Sequence, residues 1–425
     1  MKKILSILLC ICLILSTAAL FSCKSEKKPE GPMAYILAEK GNAYSLSLAE
    51  NFKLAFEEKG GSVTMETFPA GTKGFSEYFS KAIDVEAEVI FLPNSIATAS
   101  DLLNSAKDMG IDVPVLAGDT WESSVVLEAI KETGLEVYCI TFFDENDTSD
   151  KAAEFVTGFR KFINENSEYY DMNGSTNMVA AVSALGFDAY NVAMAAIRTA
   201  AENKGENMTS VDVAKALWDT DFDGITGKIV FDENGDTITN STYIKKANDD
   251  ATVFEFVKVQ TVDNNAKKGK SPNYDEAGIA IDKDNKRITI GAFQPTTGDD
   301  AAGGKQELLG IIYAHSLDNK VEIDGEEYEV VLCKSDNGSL VEYALATATK
   351  LVEEKSIVVI GSYGSGVSIA AADVFEAAGL PAIGASCTNP DVTLGNNYYF
   401  RTTIVDDFEG SVMADFAMSL IEEKE

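Results

Sequence analysis

Hydrophobic positions along the chain alternate between two templates. Ala34-Tyr35-Ile36-Leu37-Ala38 is a short apolar run, and Leu48, Phe52, Ala55 and Phe56 follow at helical spacing until Gly60-Gly61. The first reads as a buried strand and the second as an amphipathic helix with a glycine stop. The pair then repeats. Val63 to Phe68 predicts a strand, and Phe75, Tyr78, Phe79, Ala82 and Ile83 a helix. Val89-Ile90-Phe91-Leu92 is a strand stopped by Pro93, and a helix near Ala97 to Met109 leads to Val115-Leu116-Ala117. Strands alternating with helices of this length need crossovers that lay helices on both faces of a parallel sheet. One α/β lobe therefore begins at residue 33.

The pattern changes twice before it returns. Residues 144–223 read as helices, around Phe155, Phe159 and Phe162, then Val179 to Ala200, then Val211 to Trp218. Having no strands of their own, they are expected to cover another segment's sheet. Strand character resumes at Lys228-Ile229-Val230-Phe231 and at Val253 to Val259, while 261–286 is polar and predicts a linker. A second α/β series starts at Arg287 to Phe293. Its later strands are Glu329 to Leu332, Ile357 to Ile360 and the run around Ile383. The fold class is α/β, with two Rossmann-like lobes of parallel sheet and a ligand cleft between them.

Charge narrows the partners. The 68 acidic residues against 35 Lys plus Arg give a formal net charge of −33 over 425 residues, which opposes nucleic acid and anionic lipid surfaces. The single histidine, His315, leaves no His triad or multi-His metal cluster. Neither enzyme chemistry, a metal nor a cofactor is expected. Past the leader, Cys139, Cys333 and Cys387 are too few and too far apart for a disulfide framework and read as small buried residues.

The leader itself has the three regions of an export signal: Lys2-Lys3, an apolar run from Ile4 to Phe21, and a polar stretch after Cys23. Leu20-Phe21-Ser22-Cys23 resembles a bacterial lipobox. That resemblance implies a signal peptide over 1–22, acylation of Cys23 and a polar tether over 23–32; an uncleaved membrane helix is the other reading.

Four blocks of the second series carry a wider resemblance. Pro295-Thr296-Thr297-Gly298, Gly361-Ser362-Tyr363-Gly364-Ser365-Gly366, Ser386-Cys387-Thr388-Asn389-Pro390 and Phe400-Arg401 resemble the substrate-binding proteins of branched-chain amino acid ABC importers, of the type 1 periplasmic binding fold. Asn42-Ala43-Tyr44-Ser45, Leu116-Ala117-Gly118-Asp119 and Phe222-Asp223-Gly224-Ile225-Thr226-Gly227 extend it over nearly all of 33–425. In that family the segment resembling 287–425 comes first. The resemblance therefore implies a circular permutation in which one crossover between lobes is cut, with lobe II made of 33–143 and 224–260, a linker over 261–286, and lobe I made of 144–223 and 287–425. A fragment of a tandem protein is the alternative.

The resemblance also implies a site. Ser365, Ser386 and Thr388 match positions that hydrogen-bond the ends of an amino acid, Asp119 the acid that pairs with its ammonium, and Tyr44 an aromatic that closes over it. Trp121 or Tyr363 could add an apolar wall. Hydroxyls suit the task because they donate and accept, and Ser365 stands where a helix N-terminus favours an anion; the same residue types also serve as loop and N-cap residues. This chain has Pro93-Asn94-Ser95-Ile96 where the family carries a tyrosine. The implied function is a lipid-anchored, extracytoplasmic, monomeric solute-binding protein. It would deliver a small, aliphatic or branched amino acid to an ABC importer permease, touching the membrane only through its anchor. A ligand sensor of the same fold, or a binder of a related amide or carboxylate, is the alternative.

Overall fold

Each apolar run of the first series becomes a strand of one sheet. In the computed structural model, which describes residues 31–239, 241–261 and 266–423, five strands pair in parallel: β1 (Met33–Lys40), β2 (Ser62–Pro69), β3 (Val89–Leu92), β4 (Val115–Ala117) and β5 (Val137–Thr141). Their order is β2-β1-β3-β4-β5. Helix α1 (Ala43–Glu58) is capped by Asn42, which accepts from the Ser45 N–H, and it buries Leu48, Phe52 and Phe56. The Phe52 ring stacks on Phe91 of β3 with centroids 4.3 Å apart. Burying side chains of this size contributes about 1.5–3 kcal/mol each, so the helical face and the sheet hold one another. The export signal, Cys23 and the tether up to residue 30 lie outside the described residues, and none of the described helices is long and apolar enough to cross a membrane.

The second series forms the other sheet. Its strands are β10 (Arg287–Gln294), β11 (Lys320–Ile323), β12 (Glu326–Asp336), β13 (Ser356–Gly361), β14 (Ala382–Gly384) and β15 (Tyr399–Arg401), in the order β11-β12-β10-β13-β14-β15. Only β11 runs antiparallel. The strandless helices cover this sheet. Phe155 and Phe159 of α5 (Asp150–Asn164) meet Tyr313 of α9 (Ala301–Leu317) with centroids 6.0 and 5.7 Å apart. Gly186 of α7 (Ala181–Lys204) and Gly310 of α9 leave no side chain at the crossing, where a Cβ would strike the Glu307 or Ser183 carbonyl. The Ser183 hydroxyl donates to the Gln306 carbonyl at 2.9 Å across that crossing.

Four sequence expectations need correction. Helix α12 (Asp406–Glu422) was expected on lobe I but packs on α1 of lobe II: Phe416 meets Tyr138 at 5.1 Å, and Lys59 pairs with Asp415 at 2.6 Å. A helix with no strand after it gives no local sign of which sheet it covers. Second, 402–405 runs unbroken from β15 into α12, so this crossover between lobes is not cut. Third, the return to lobe II comes after residue 237 rather than at 224. The hairpin of β6 (Phe222–Asp223) and β7 (Lys228–Ile229) is held by Asp188 of α7, which accepts from the Ile225 and Thr226 N–H groups. Phe231 packs on Phe400 at 5.1 Å, and apolar contact decides the side. Only β8 (Ser241–Ala247) and β9 (Phe254–Thr261) join lobe II, antiparallel beyond β5. Fourth, 266–286 is an ordered strap rather than a free linker: the Tyr274 hydroxyl accepts from Trp218 Nε1 at 2.7 Å and donates to the Asn397 carbonyl at 2.9 Å. Cys333 is half-buried, unlike the buried Cys139 and Cys387.

Candidate functional site

The strand ends of the two sheets face each other across a cavity of about 400 Å³. On the lobe II side, β4 stops at Ala117 and the chain turns through Gly118 into Asp119. Gly118 is required there, because a Cβ would fall on the Tyr44 hydroxyl. Tyr44, in the first turn of α1, donates to Asp119 Oδ1 at 2.8 Å, so both line the cavity as one unit. On the lobe I side, α11 (Ser365–Ala377) begins at Ser365, whose Oγ accepts from the Asn389 N–H at 3.3 Å. The first N–H groups of that helix have no intrahelical partner, which favours an anion beside them. Ser386 follows β14 and donates its hydroxyl to Glu307. Gln294 also donates to Glu307 and accepts from the Tyr363 N–H at 3.1 Å. The lobes already touch at this mouth, where Asn389 Nδ2 donates to the Ala43 carbonyl at 2.8 Å.

Of the residues singled out in the sequence, Tyr44, Asp119, Tyr363, Ser365 and Ser386 line the cavity. Two do not. Trp121 is wholly buried in the lobe II core, its Nε1 donating to the Asn94 carbonyl at 2.7 Å, because the turn after Asp119 carries the indole under the sheet edge. Thr388 lies behind the cavity, fully buried, with its Oγ1 unpartnered and its carbonyl accepting from the Asp406 N–H at 2.9 Å.

The cavity walls are more acidic than the sequence reading implied. Glu39, Asp119, Asp299, Asp300 and Glu342 line the cavity, and Lys40 is the sole basic residue among them. Burial, reinforced by Asp299 and Glu39, pushes Asp300 up to about 6, and Glu39 is raised by burial and by Asp299. Burial also lifts Asp119 to about 7 and Glu307 to about 7. Carboxyls that resist ionisation in one cleft favour an arriving ammonium and oppose a net anion. Among the described residues no group of His, Cys, Asp and Glu is placed to hold a metal ion. The signal that could have found the extra acids is position: Glu39 lies at the C-terminal end of the first strand of lobe II, and Asp299-Asp300 follow the first strand of lobe I.

A larger hollow of about 490 Å³ lies among the segments that join the lobes, with Phe142, Thr242 and Thr403 on its walls. Of its rim charges Lys151 pairs with Asp223 and Lys228 with Asp221, while Asp147 accepts from the Ser149 N–H. None of the candidate ligand residues reaches it, so the cleft between strand ends is the candidate site.

A two-lobed α/β body with convergent donors and an acid across an interlobe cleft has the architecture of a clamp around a small molecule. The family model described as periplasmic binding protein matches residues 19–252 and 287–422, and the chain belongs to that family. It is a family of solute binders and not of enzymes. An amino acid binding protein of Pseudomonas aeruginosa is 34% identical over 140 residues, 32% of this chain and 37% of that protein. A Leu/Ile/Val-binding protein homolog of Brucella melitensis is 32% identical over 139 residues, again 32% of this chain and 37% of its own length. The chain thus spans little more than a third of the length of these relatives. Among solved structures, a leucine binding protein of Thermotoga maritima shares 22% identity over 55% of this chain and 61% of its own, with a TM-score of 0.44.

Proposed function

We propose that the protein captures a zwitterionic amino acid with a small or aliphatic side chain in this cleft and hands it to an ABC importer. The observation that carries the reading is the polarity of the cavity. Neutral hydroxyls and a helix N-terminus at Ser365 and Ser386 lie on lobe I, and the Tyr44–Asp119 pair lies on lobe II. One ligand can satisfy both only by bridging them, its carboxylate on the first and its ammonium on the second, and bridging favours closure. Leu340, Val341 and Ala43 leave an apolar part of the wall for an aliphatic side chain. The printed names of the relatives, amino acid and Leu/Ile/Val binding, agree with this class.

The chain order supports a permuted family member, since the family model matches in two separate segments whose structural elements complete one another's lobes. Export and acylation at Cys23 complete the proposal, with the body tethered outside the cytoplasmic membrane. Calorimetric titration of residues 32–425 against the common amino acids tests the ligand. Binding of aliphatic amino acids but not of their deaminated analogues is expected; equal affinity for both sinks the role of Asp119. For the anchor, Cys23→Ala should leave the precursor uncut or release it from membranes, and unchanged size with retained membrane association counts against acylation.

A further inference from the structure

Behind Asp119 lies a carboxyl that the ligand-binding scheme does not use. Glu409, in the first turn of α12, is fully buried, and its Oε1 accepts the Asp119 backbone N–H at 3.1 Å across 290 positions of sequence. Its Oε2 has no partner. Nearby on the same helix Asp406 is also fully buried and neither of its carboxylate oxygens has a hydrogen-bond partner, although the Ser47 and Thr388 hydroxyls and the Arg401 charge act to lower its pKa.

Every group that faces Glu409 leaves its charge uncompensated. Helix α1 presents Leu48 and the Tyr44 hydroxyl around Gly118, β5 presents Cys139, a neutral thiol raised by burial, and α12 itself presents Asp406. The nearby Arg401 is spent elsewhere, on Asp236 at 2.7 Å and on the Cys387 and Asn389 carbonyls. Among the described residues no Lys, Arg or His forms an ion pair with Asp119, Asp406 or Glu409. With no ion pair among the three buried carboxyls, and only Arg401 acting on Asp406 without pairing it, they cannot all be ionised, because an unpaired charge in such surroundings is strongly disfavoured. Asp119 alone of the three borders the cavity and takes a tyrosine hydrogen bond, so it is the one best placed to carry charge.

We propose that Glu409 is a positioning residue for Asp119. It holds the Asp119 backbone through one oxygen and keeps a proton on the other, so that the charge of the cluster falls on Asp119 where the ligand's ammonium arrives. The inference rests on the reading of Asp119 as the ammonium partner. Burial, Asp119 and Asp406 all raise Glu409 well above the ordinary glutamate range, in keeping with a retained proton.

Two variants and one spectrum test this. Glu409→Gln keeps the acceptor and the neutral state, and should bind an aliphatic amino acid within about twofold of the wild type at neutral pH. Glu409→Ala leaves the Asp119 N–H buried and unpaired, and should bind about tenfold or more weakly. Infrared difference spectra of the ligand-free protein at neutral pH should lose a protonated carboxylic acid band in Glu409→Gln. A tenfold loss in Glu409→Gln shows that a charge is needed there and overturns the proposal, as does an unchanged acid band or a Glu409→Ala protein that binds normally. Wild-type protein that binds no amino acid overturns the reading of the cleft instead, and the acid band still decides where the proton of Glu409 resides.

Discussion

Lobe II holds two groups of buried carboxyls that differ in one respect. Around Glu122, which is about as buried as Asp119, Lys245 sits at 2.6 Å and reaches Asp144 at 3.3 Å, while Thr141 donates its hydroxyl to the same glutamate. Burial raises Glu122, Lys245 pulls it back, and the carboxylates hold Lys245 above the ordinary lysine range against its own burial. That group is complete without a ligand. Around Asp119 the same burial is met by a tyrosine hydroxyl, two further acids and no cation. A compensated group ties β8 to the turn before α4 (Ser124–Thr133), whereas an uncompensated one is poised to gain from a cation supplied from outside. The difference separates a structural ion pair from a binding site more clearly than burial or residue type does.

The largest expected effect breaks the compensated group. Lys245→Ala should cost about 3–5 kcal/mol of stability in urea unfolding, because Glu122 is left buried and unpaired. Combining Lys245→Met with Glu122→Gln should recover much of that loss. A Lys245→Ala protein within about 1 kcal/mol of the wild type would erase the distinction between the two groups.

Asp119→Ala should do the reverse, sparing the fold and weakening the ligand. A hydrogen bond to a charged group is worth about 1.5–3 kcal/mol, so affinity should fall by roughly tenfold to more than a hundredfold. Thermal unfolding of the empty variant should occur no lower than in the wild type, since a buried acid with no cation is removed. Loss of stability together with unchanged affinity would assign Asp119 to the structural class with Glu122.

How far the sequence foretold this contrast depends on the kind of information each part needs. The alternating runs located most strands of both sheets, since periodicity is local: Ile36, Phe91, Ile288 and Ile357 all fall on strands, whereas β5, β8, β11 and β15 were not read as strands. Tyr44, Asp119 and Ser365 were singled out through the family resemblance, whose blocks fall at strand and helix ends, and the structure brings them to one cavity. Glu409 and Lys245 were not. Their significance comes from partners 290 and 123 positions away, and nothing near them in sequence distinguishes a buried acid or lysine from a solvated one. Trp121 was misplaced for the same reason, since a two-residue turn decides whether its ring faces the cleft or the core. The lobe of α12 is decided by a buried face that includes Val412, Met413, Phe416 and Ile421, and the course of 266–286 by scattered contacts such as Tyr274 on Tyr398, in segments whose overall pattern is polar or ambiguous.

The pH dependence sharpens the comparison with a smaller effect. Burial raises Asp119 to about 7 and Asp406 to about 6. A raised carboxyl holds its proton in the folded state where the unfolded chain has lost it, so these groups cost stability progressively as pH rises from about 4 toward 7. A bound ammonium favours the ionised Asp119 and reverses that cost. Affinity for a neutral amino acid should therefore fall as pH drops below about 7, by at most about tenfold per unit for one proton taken up. The thermal shift given by ligand should be larger at pH 8 than at pH 5. Asp119→Asn should flatten the profile; a profile that stays steep in that variant assigns the proton to another group.

The smallest effect lies on the opposite wall. In the proposed binding mode Ser365 gives a hydroxyl to the ligand carboxylate, yet it opens α11, and the unpaired N–H groups of the first turn remain when the hydroxyl is gone. Ser365→Ala also frees the Asn389 N–H, which now donates to Ser365 Oγ at 3.3 Å, a long bond with little to lose. The net loss should be that of one ordinary hydrogen bond, about 0.5–1.5 kcal/mol, or roughly twofold to tenfold in affinity, with no change in its pH dependence. In the proposed binding mode lobe I meets the ligand through backbone and neutral donors, which spreads its contribution over several groups. Lobe II concentrates its contribution in one carboxylate. Titration calorimetry on Ser365→Ala beside Asp119→Ala measures that asymmetry directly, and a Ser365→Ala loss equal to or above that of Asp119→Ala would show that the carboxylate end, not the ammonium end, sets the affinity.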